Sequence, residues 1–259
     1  MAWSNVMTPK SELPTPQADW GLFFDIDGTL LEIAPTPDAV IVGEKVLAVL
    51  QALHEATGGA VALVSGRALD RIDQLFAPLR LHASGLHGLE MRLGNGEVHR
   101  PPPPTEDFKH MRRTLNNFAS THPGILLEDK GQSMAMHYRL APELESETRT
   151  KVEEMIGKWG KGYSLLVGKM VFEIKPAHTD KGQVIEAFMA SDPFAGRCPV
   201  YVGDDVTDED AFAVVNRLGG HTIHVGPASE TRASYMVQDV AHLLDWLAAV
   251  AGRLGSQTS

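Results

Sequence analysis

Phe23-Phe24-Asp25-Ile26-Asp27-Gly28-Thr29-Leu30 sets two carboxylates two positions apart, directly after an apolar run that begins at Leu22. A short apolar run ending in Asp suits a buried parallel strand, and ligands of open α/β sheets bind beyond the carboxyl ends of such strands. Gly28 and Thr29 can make the tight turn that aims both acids into one crevice. A carboxylate pair held there can bind a hard divalent cation and supply one nucleophile and one acid. Asp-Gly alone is common in surface loops; the whole string, strand to trailing apolar residue, carries the reading.

Outward from this segment the chain repeats the same grammar. Gly59 to Val64 and Pro199 to Val202 are further apolar runs that close on Ser65 and on Gly203-Asp204. Amphipathic, helix-length stretches lie at Glu44 to Ala56, Leu69 to Phe76, Gly182 to Ala190 and Glu209 to Leu218. Alternating strands and helices predict a doubly wound α/β core with a parallel sheet. Ser65-Gly66-Arg67 can hold a phosphoryl oxygen with a hydroxyl and backbone N–H groups, and Ser65 also reads as a plain N-cap for a helix from Ala68. Lys181, at the entry of a helix after Pro176, is a cation able to offset phosphate and the Asp25 charge. Tyr201 to Phe212 ends a strand in a burst of acids, and that much clustered negative charge is costly without a cation. Asp204 is the first candidate ligand; Asp205 and Asp208 orient Lys181, metal-bound water or the cation itself.

Pro101 to Pro104 cannot continue a helix interior or a central strand, so a second unit begins there. From Thr105 a helix, two strand-like stretches (Gly124 to Asp129, Ser133 to Arg139), a helix (Glu143 to Trp159) and a hairpin around Gly168-Lys169 describe a small α+β insert. The expected organisation is a flexible leader at 1–19, a core of 20–104 and 177–259, an inserted domain at 105–176, and a frayed tail from Gly252. The 259 residues, 43% hydrophobic and 22% charged, are those of an ordinary globular protein. A formal net charge of −10 without any basic run speaks against nucleic acid as a partner. Cys198, the single cysteine, excludes an intramolecular disulfide. No apolar run reaches bilayer length and no secretory signal is visible, so a cytoplasmic location with no membrane partner is expected.

Asp25-x-Asp27-Gly28-Thr29, Ser65-Gly66-Arg67, Lys181 and Gly203-Asp204-Asp205 together resemble the four motifs of the haloacid dehalogenase superfamily. The resemblance implies that Asp25 forms an aspartyl-phosphate and that Asp27 protonates the leaving alcohol, then activates water. It further implies Mg²⁺ held by Asp25, the Asp27 backbone carbonyl and Asp204, with Asp205 beside them, and Ser65, Gly66 and Arg67 at the phosphoryl group. Gly85-Leu86-His87-Gly88-Leu89-Glu90, Leu127-Glu128-Asp129-Lys130-Gly131, His137-Tyr138-Arg139 and Phe172-Glu173-Ile174-Lys175-Pro176 look more narrowly like the trehalose-6-phosphate phosphatases, from about Trp20 to Trp246. By that likeness the insert is a mobile cap whose Glu128, Lys130 and Glu173 grip the sugar, His87 and Gly88 line the entrance, and a synthase of the same pathway is a possible partner. Read from the residues alone, the cap charges also suit an exposed strand and His87 a turn. Another sugar phosphate, such as sucrose phosphate or mannosylglycerate phosphate, stands as the alternative substrate. A non-catalytic module of the same fold is the other, against which the intact Asp25, Asp27, Lys181 and Asp204 weigh.

Overall fold

Trp20–Phe24 (β1) is buried at every position, which a strand sustains when both faces of its sheet are covered. In the computed structural model, residues 9–34, 40–93, 96–100, 102, 104–177, 179–228 and 230–257 are described. After β1 come α1 (Glu44–Ala56), β2 (Val61–Val64), α2 (Leu69–Phe76), β3 (His82–Gly85), β4 (Glu90–Arg92) and β5 (Val98–His99). Next are α3 (Glu106–Thr121), β6 (Leu126–Asp129), β7 (Met134–His137), α4 (Glu145–Trp159), β8 (Tyr163–Gly168) and β9 (Val171–Pro176). The chain closes with α5 (Lys181–Met189), β10 (Cys198–Gly203), α6 (Asp208–Arg217), β11 (His221–Val225), β12 (Tyr235–Val237) and α7 (Val240–Gln257).

Two units result, Met1–His99 with Asp180–Ser259, and Arg100–Thr179. The first holds an eight-stranded sheet in the order β12-β11-β10-β1-β2-β3-β4-β5. Its strands are parallel from β12 to β3, and β4 and β5 add an antiparallel edge. Strand order runs outward from β1 in both directions, so the switch point lies between β1 and β10, where an open α/β sheet leaves its crevice. Val46, Val49, Leu50 and Leu53 make the i, i+3, i+4, i+7 stripe that seats α1 on one face, together with α2 and α7. On the opposite face α5 and α6 pack over Phe23, Ala62 and Tyr201. The second unit is a four-stranded antiparallel sheet, β6-β7-β9-β8, with α3 and α4 on one face over Phe108, Met134, Met136, Val152 and Phe172.

Several elements depart from the sequence expectation. Residues 9–19 of the leader are tied down: the Lys10 N–H donates to Ser234 O, the Met236 N–H to Lys10 O, and Pro14 and Pro16 are buried. Residues 1–8 and, of the proline run, Pro101 and Pro103 lie outside the described residues. The tail is helical to Gln257, because Val250 and Leu254 are buried in the α1/α7 layer and hold the last turns in place despite Gly252 and Gly255. Among the described residues no helix is long and apolar enough to cross a membrane.

Candidate active site

β1 delivers Asp25 to the switch point: its N–H donates to Val202 O of β10 at 2.9 Å, which continues the sheet to the last residue before the turn. The turn is closed by Leu30 and Leu31 N–H groups on Ile26 O and by the Gly28 N–H on Leu31 O. Gly28 sits at φ +86, and a Cβ there would fall 2.2 Å from Asp204 Oδ2. Glycine is required twice, by its left-handed backbone and by the close approach of Asp204. Thr29 Oγ1 donates to Asp204 Oδ1 at 3.2 Å.

Lys181, the first residue of α5, is 2% exposed and reaches two carboxylates, Asp25 Oδ1 at 3.0 Å and Asp208 Oδ1 at 2.6 Å. A sealed ammonium survives only if paired. Burial works against its charge, but Asp208 and Asp25 outweigh it and push the Lys181 pKa up. Asp208 accepts four hydrogen bonds. Lys181 Nζ and Tyr201 Oη, at 2.7 Å, donate to Oδ1, while the Asp204 and Asp205 N–H groups donate to Oδ2 at 2.9 and 2.8 Å. Burial pushes its carboxyl up, yet Lys181 and these donors hold it below the usual range. Asp25 has the opposite balance. Burial raises its carboxyl well above the usual range, Lys181 opposes, and Asp208, Asp204 and Asp27 raise it further.

Asp25, Asp204 and Asp208 each offer an oxygen within 4.8 Å of the others. The donor set is all carboxylate oxygen, which suits a hard divalent cation. Because Asp208 is fully engaged by its four donors, Asp25 and Asp204 are the carboxylates of the set that fit a cation. Asp205 stands apart from the expectation of a ligand: its side chain folds back so that Oδ1 accepts the Val206 N–H at 2.7 Å.

Arg67, expected at the phosphoryl group, is paired with a residue of the first motif. Its guanidinium forms a fork on Asp27, Nε to Oδ2 at 2.7 Å and Nη2 to Oδ1 at 2.6 Å. Ser65 is buried, and its Oγ accepts the Arg67 N–H at 3.2 Å. It is not the N-cap of α2; Ala68 holds that position, and Glu90 Oε2 accepts the Leu69 N–H at 2.6 Å. His87, buried at φ +54, lays its ring against Gly66, where a Cβ would meet Nε2 at 2.5 Å. Gly88, at φ +108, has room for a Cβ only 2.9 Å from Val184 Cγ2. Asp25, Asp27, Ser65, Gly66, Arg67, His87, Lys181 and Asp204 therefore converge within the first unit. The hydrogen bonds of Tyr201 and Glu90 were not foreseen, Thr29 was read only as a turn residue, and Asp208 was left without a definite role; Thr29 and Glu90 find their partners far off in sequence, whereas Tyr201, Asp204 and Asp205 lie within seven positions of Asp208.

In the second unit, Glu128, Lys130 and Glu173 meet on the sheet face away from α3 and α4. Glu128 and Glu173 both stand opposite Ala135 in the register, one strand to either side. Lys130 Nζ lies 3.3 Å from Glu173 Oε2, and His137 Nε2 lies 2.9 Å from Glu128 Oε2.

The family model for trehalose-phosphatase matches residues 23–241. A protein of Sinorhizobium fredii named "Probable trehalose-phosphate phosphatase" is 46% identical over 227 residues, 86% of this chain and 85% of that one. The trehalose-6-phosphate phosphatase of Escherichia coli is 42% identical over 246 residues, 95% and 92% of the two chains. The C-terminal domain of C. albicans trehalose-6-phosphate phosphatase superposes with a TM-score of 0.80 over 91% of this chain and 93% of that one. At 22% identity that likeness establishes the fold alone, which is the haloacid dehalogenase type. With its fold, its converging motif residues and relatives above 40% identity along nearly its whole length, this chain belongs to the trehalose-phosphatase family.

Proposed function

We propose that this chain hydrolyses trehalose 6-phosphate to trehalose and phosphate. The observation that carries the reading is the buried Asp25–Lys181–Asp208–Asp204 cluster at the switch point of a family member's sheet. Asp25 is the nucleophile: its oxygen bonds to phosphorus as the bond from phosphorus to the sugar oxygen breaks. Asp27 gives a proton to that oxygen, then takes one from the water that cleaves the aspartyl-phosphate and frees inorganic phosphate. Lys181 neutralises the approach of a carboxylate to a phosphate dianion, and positioning with electrostatics supplies most of the acceleration in phosphoryl transfer.

The Arg67 fork fixes the carboxylate of Asp27 in one orientation, while Ser65 and Gly66 form the turn beside it. Mg²⁺ is the cation proposed for Asp25, Asp204 and the Asp27 carbonyl; when bound it supplies charge neutralisation at the phosphoryl oxygens. Residues 105–176 are read as the cap, with Glu128, Lys130 and Glu173 binding the disaccharide and His87 and Gly88 at the entrance. Carboxylates accept from sugar hydroxyls and an ammonium donates to them, so this set offers both polarities.

Phosphate release from a panel of sugar phosphates, with Mg²⁺ and with chelator, tests the reading. Selective, metal-dependent release from trehalose 6-phosphate is expected, and Asp25→Asn abolishes it. Equal release from sucrose phosphate, or wild-type turnover by Asp25→Asn, would refute the substrate or the nucleophile respectively.

A further inference from the structure

The carboxylates of the cap sheet are not held alike. Lys130 reaches Glu173 from the loop after β6, whereas Glu128 is met by a neighbour on β7 to which the sequence reading gave no role. Leu126 stands opposite His137 and Glu128 opposite Ala135, so His137 and Glu128 are diagonal neighbours on one face. Diagonal positions are within reach of long side chains. An ionised carboxylate only accepts, so the proton of the shared bond sits on His137 Nε2.

We propose that His137 is a positioning residue for the sugar half of the substrate, holding the Glu128 carboxylate in the orientation that accepts a sugar hydroxyl. The inference rests on the reading of Glu128, Lys130 and Glu173 as the sugar-binding set. Ala135, with only a methyl group between Glu128 and Glu173, leaves a floor two strand spacings wide, about 10 Å. Each carboxylate must point into that space to be useful. A glutamate side chain gives up rotamer freedom when it is ordered, and that ordering has a cost. A partner already in place removes part of that cost before the ligand arrives.

The electrostatics agree. Burial pushes the Glu128 carboxyl up and Glu173 adds to that, yet the His137 hydrogen bond and Lys130 hold it below the usual range. Glu128 is therefore an anionic acceptor throughout the neutral range. Charge-assisted hydrogen bonds of this kind are short and directional, so a swing of the carboxylate loses the contact.

Isosteres supply the test. A glutamine amide nitrogen occupies the place of imidazole Nε2, and an asparagine amide nitrogen that of Nδ1, so only His137→Gln can donate to Glu128 from the same position. KM and kcat are measured in the full chain for trehalose 6-phosphate and for para-nitrophenyl phosphate, which carries no sugar. His137→Leu and His137→Asn are expected to raise KM for the sugar phosphate about tenfold, as loss of one preorganised contact would. His137→Gln stays within about threefold of wild type by the same reasoning. The aryl phosphate rate stays unchanged in all three. Glu128→Gln is measured beside them. If it raises the sugar-phosphate KM and His137→Asn does not, the positioning role is overturned while the sugar-binding set stands. If Glu128→Gln has no effect, the sugar-binding reading fails and takes the inference with it. Equal losses on both substrates in His137→Gln and His137→Asn would mark a folding role and overturn the proposal.

Discussion

Asp208 shows how one side chain can tie several parts of a site together. It is completely buried, and it binds Lys181, Tyr201 and two backbone N–H groups of the acidic loop with its two oxygens. Replacement by Asn keeps the shape but leaves Lys181 short of a counter-charge and turns an amide NH₂ toward donors. Breaking a buried pair costs about 3–5 kcal/mol, so Asp208→Asn is expected to lose that much near neutrality. The sign of the pH dependence follows from the depressed carboxyl. A folded value below the unfolded one adds stability that is full above the unfolded carboxylate range and is lost as pH falls through the depressed value. The gap between wild type and Asp208→Asn must therefore narrow in acid. Urea unfolding of both proteins at about pH 7 and about pH 3 measures it. A gap of equal size at both values would show that Asp208 acts through shape and not through its charge.

At the scale of elements, the site depends on two strand ends that tolerate no side chain. Gly28 closes the turn after β1 with φ +86, and its missing Cβ is the space Asp204 occupies. Gly203 closes β10, and a Cβ there would lie 2.3 Å from Asp208 Cγ. In Gly28→Ala the left-handed backbone costs about 1–2 kcal/mol, and the Asp204 carboxylate must shift to admit the new Cβ. Phosphate release should fall far more than the melting temperature does; near-wild-type turnover would mean that Asp204 has room to spare. These strand ends were legible because an apolar run that stops at Asp or Gly announces a buried parallel strand and its crevice together. β3 was not legible. His82-Ala83-Ser84-Gly85 has no apolar run, and it becomes a strand by pairing with Ala62 to Val64 and by setting His82 edge-on to Phe188 and Phe194. The same blindness to tertiary partners hid the Arg67 fork, which closes on a residue 40 positions earlier. It also assigned the α2 cap to Ser65 rather than Glu90, which is 21 positions from the N–H it accepts.

For the molecule as a whole, the −10 net charge is less telling than where part of it is concentrated. Asp25 is raised by burial, and Asp208, Asp204 and Asp27 add to the push against a single buried ammonium. A carboxyl with a raised folded value costs stability at neutral pH, the opposite sign to Asp208, and a divalent cation bound between Asp25 and Asp204 would offset that cost. The cation needs the folded arrangement, because Asp25 and Asp204 come from strands far apart in the chain. Binding to the folded state alone adds RT ln(1 + [L]/Kd), about 2.7 kcal/mol at a hundredfold excess over Kd. For a domain of about 150–250 residues each kcal/mol raises the melting temperature by roughly 2–4 °C, and the first unit is of that size. Millimolar Mg²⁺ should therefore raise the melting temperature of the wild type by several degrees, and chelator should reverse it. Asp204→Asn, which removes one of the two fitting carboxylates, should melt at the same temperature with and without the ion. Asp205→Asn should keep the full shift, since that side chain is turned back on Val206. A shift that survives in Asp204→Asn and vanishes in Asp205→Asn would exchange the two assignments. A wild type indifferent to the ion would remove the cation from the site.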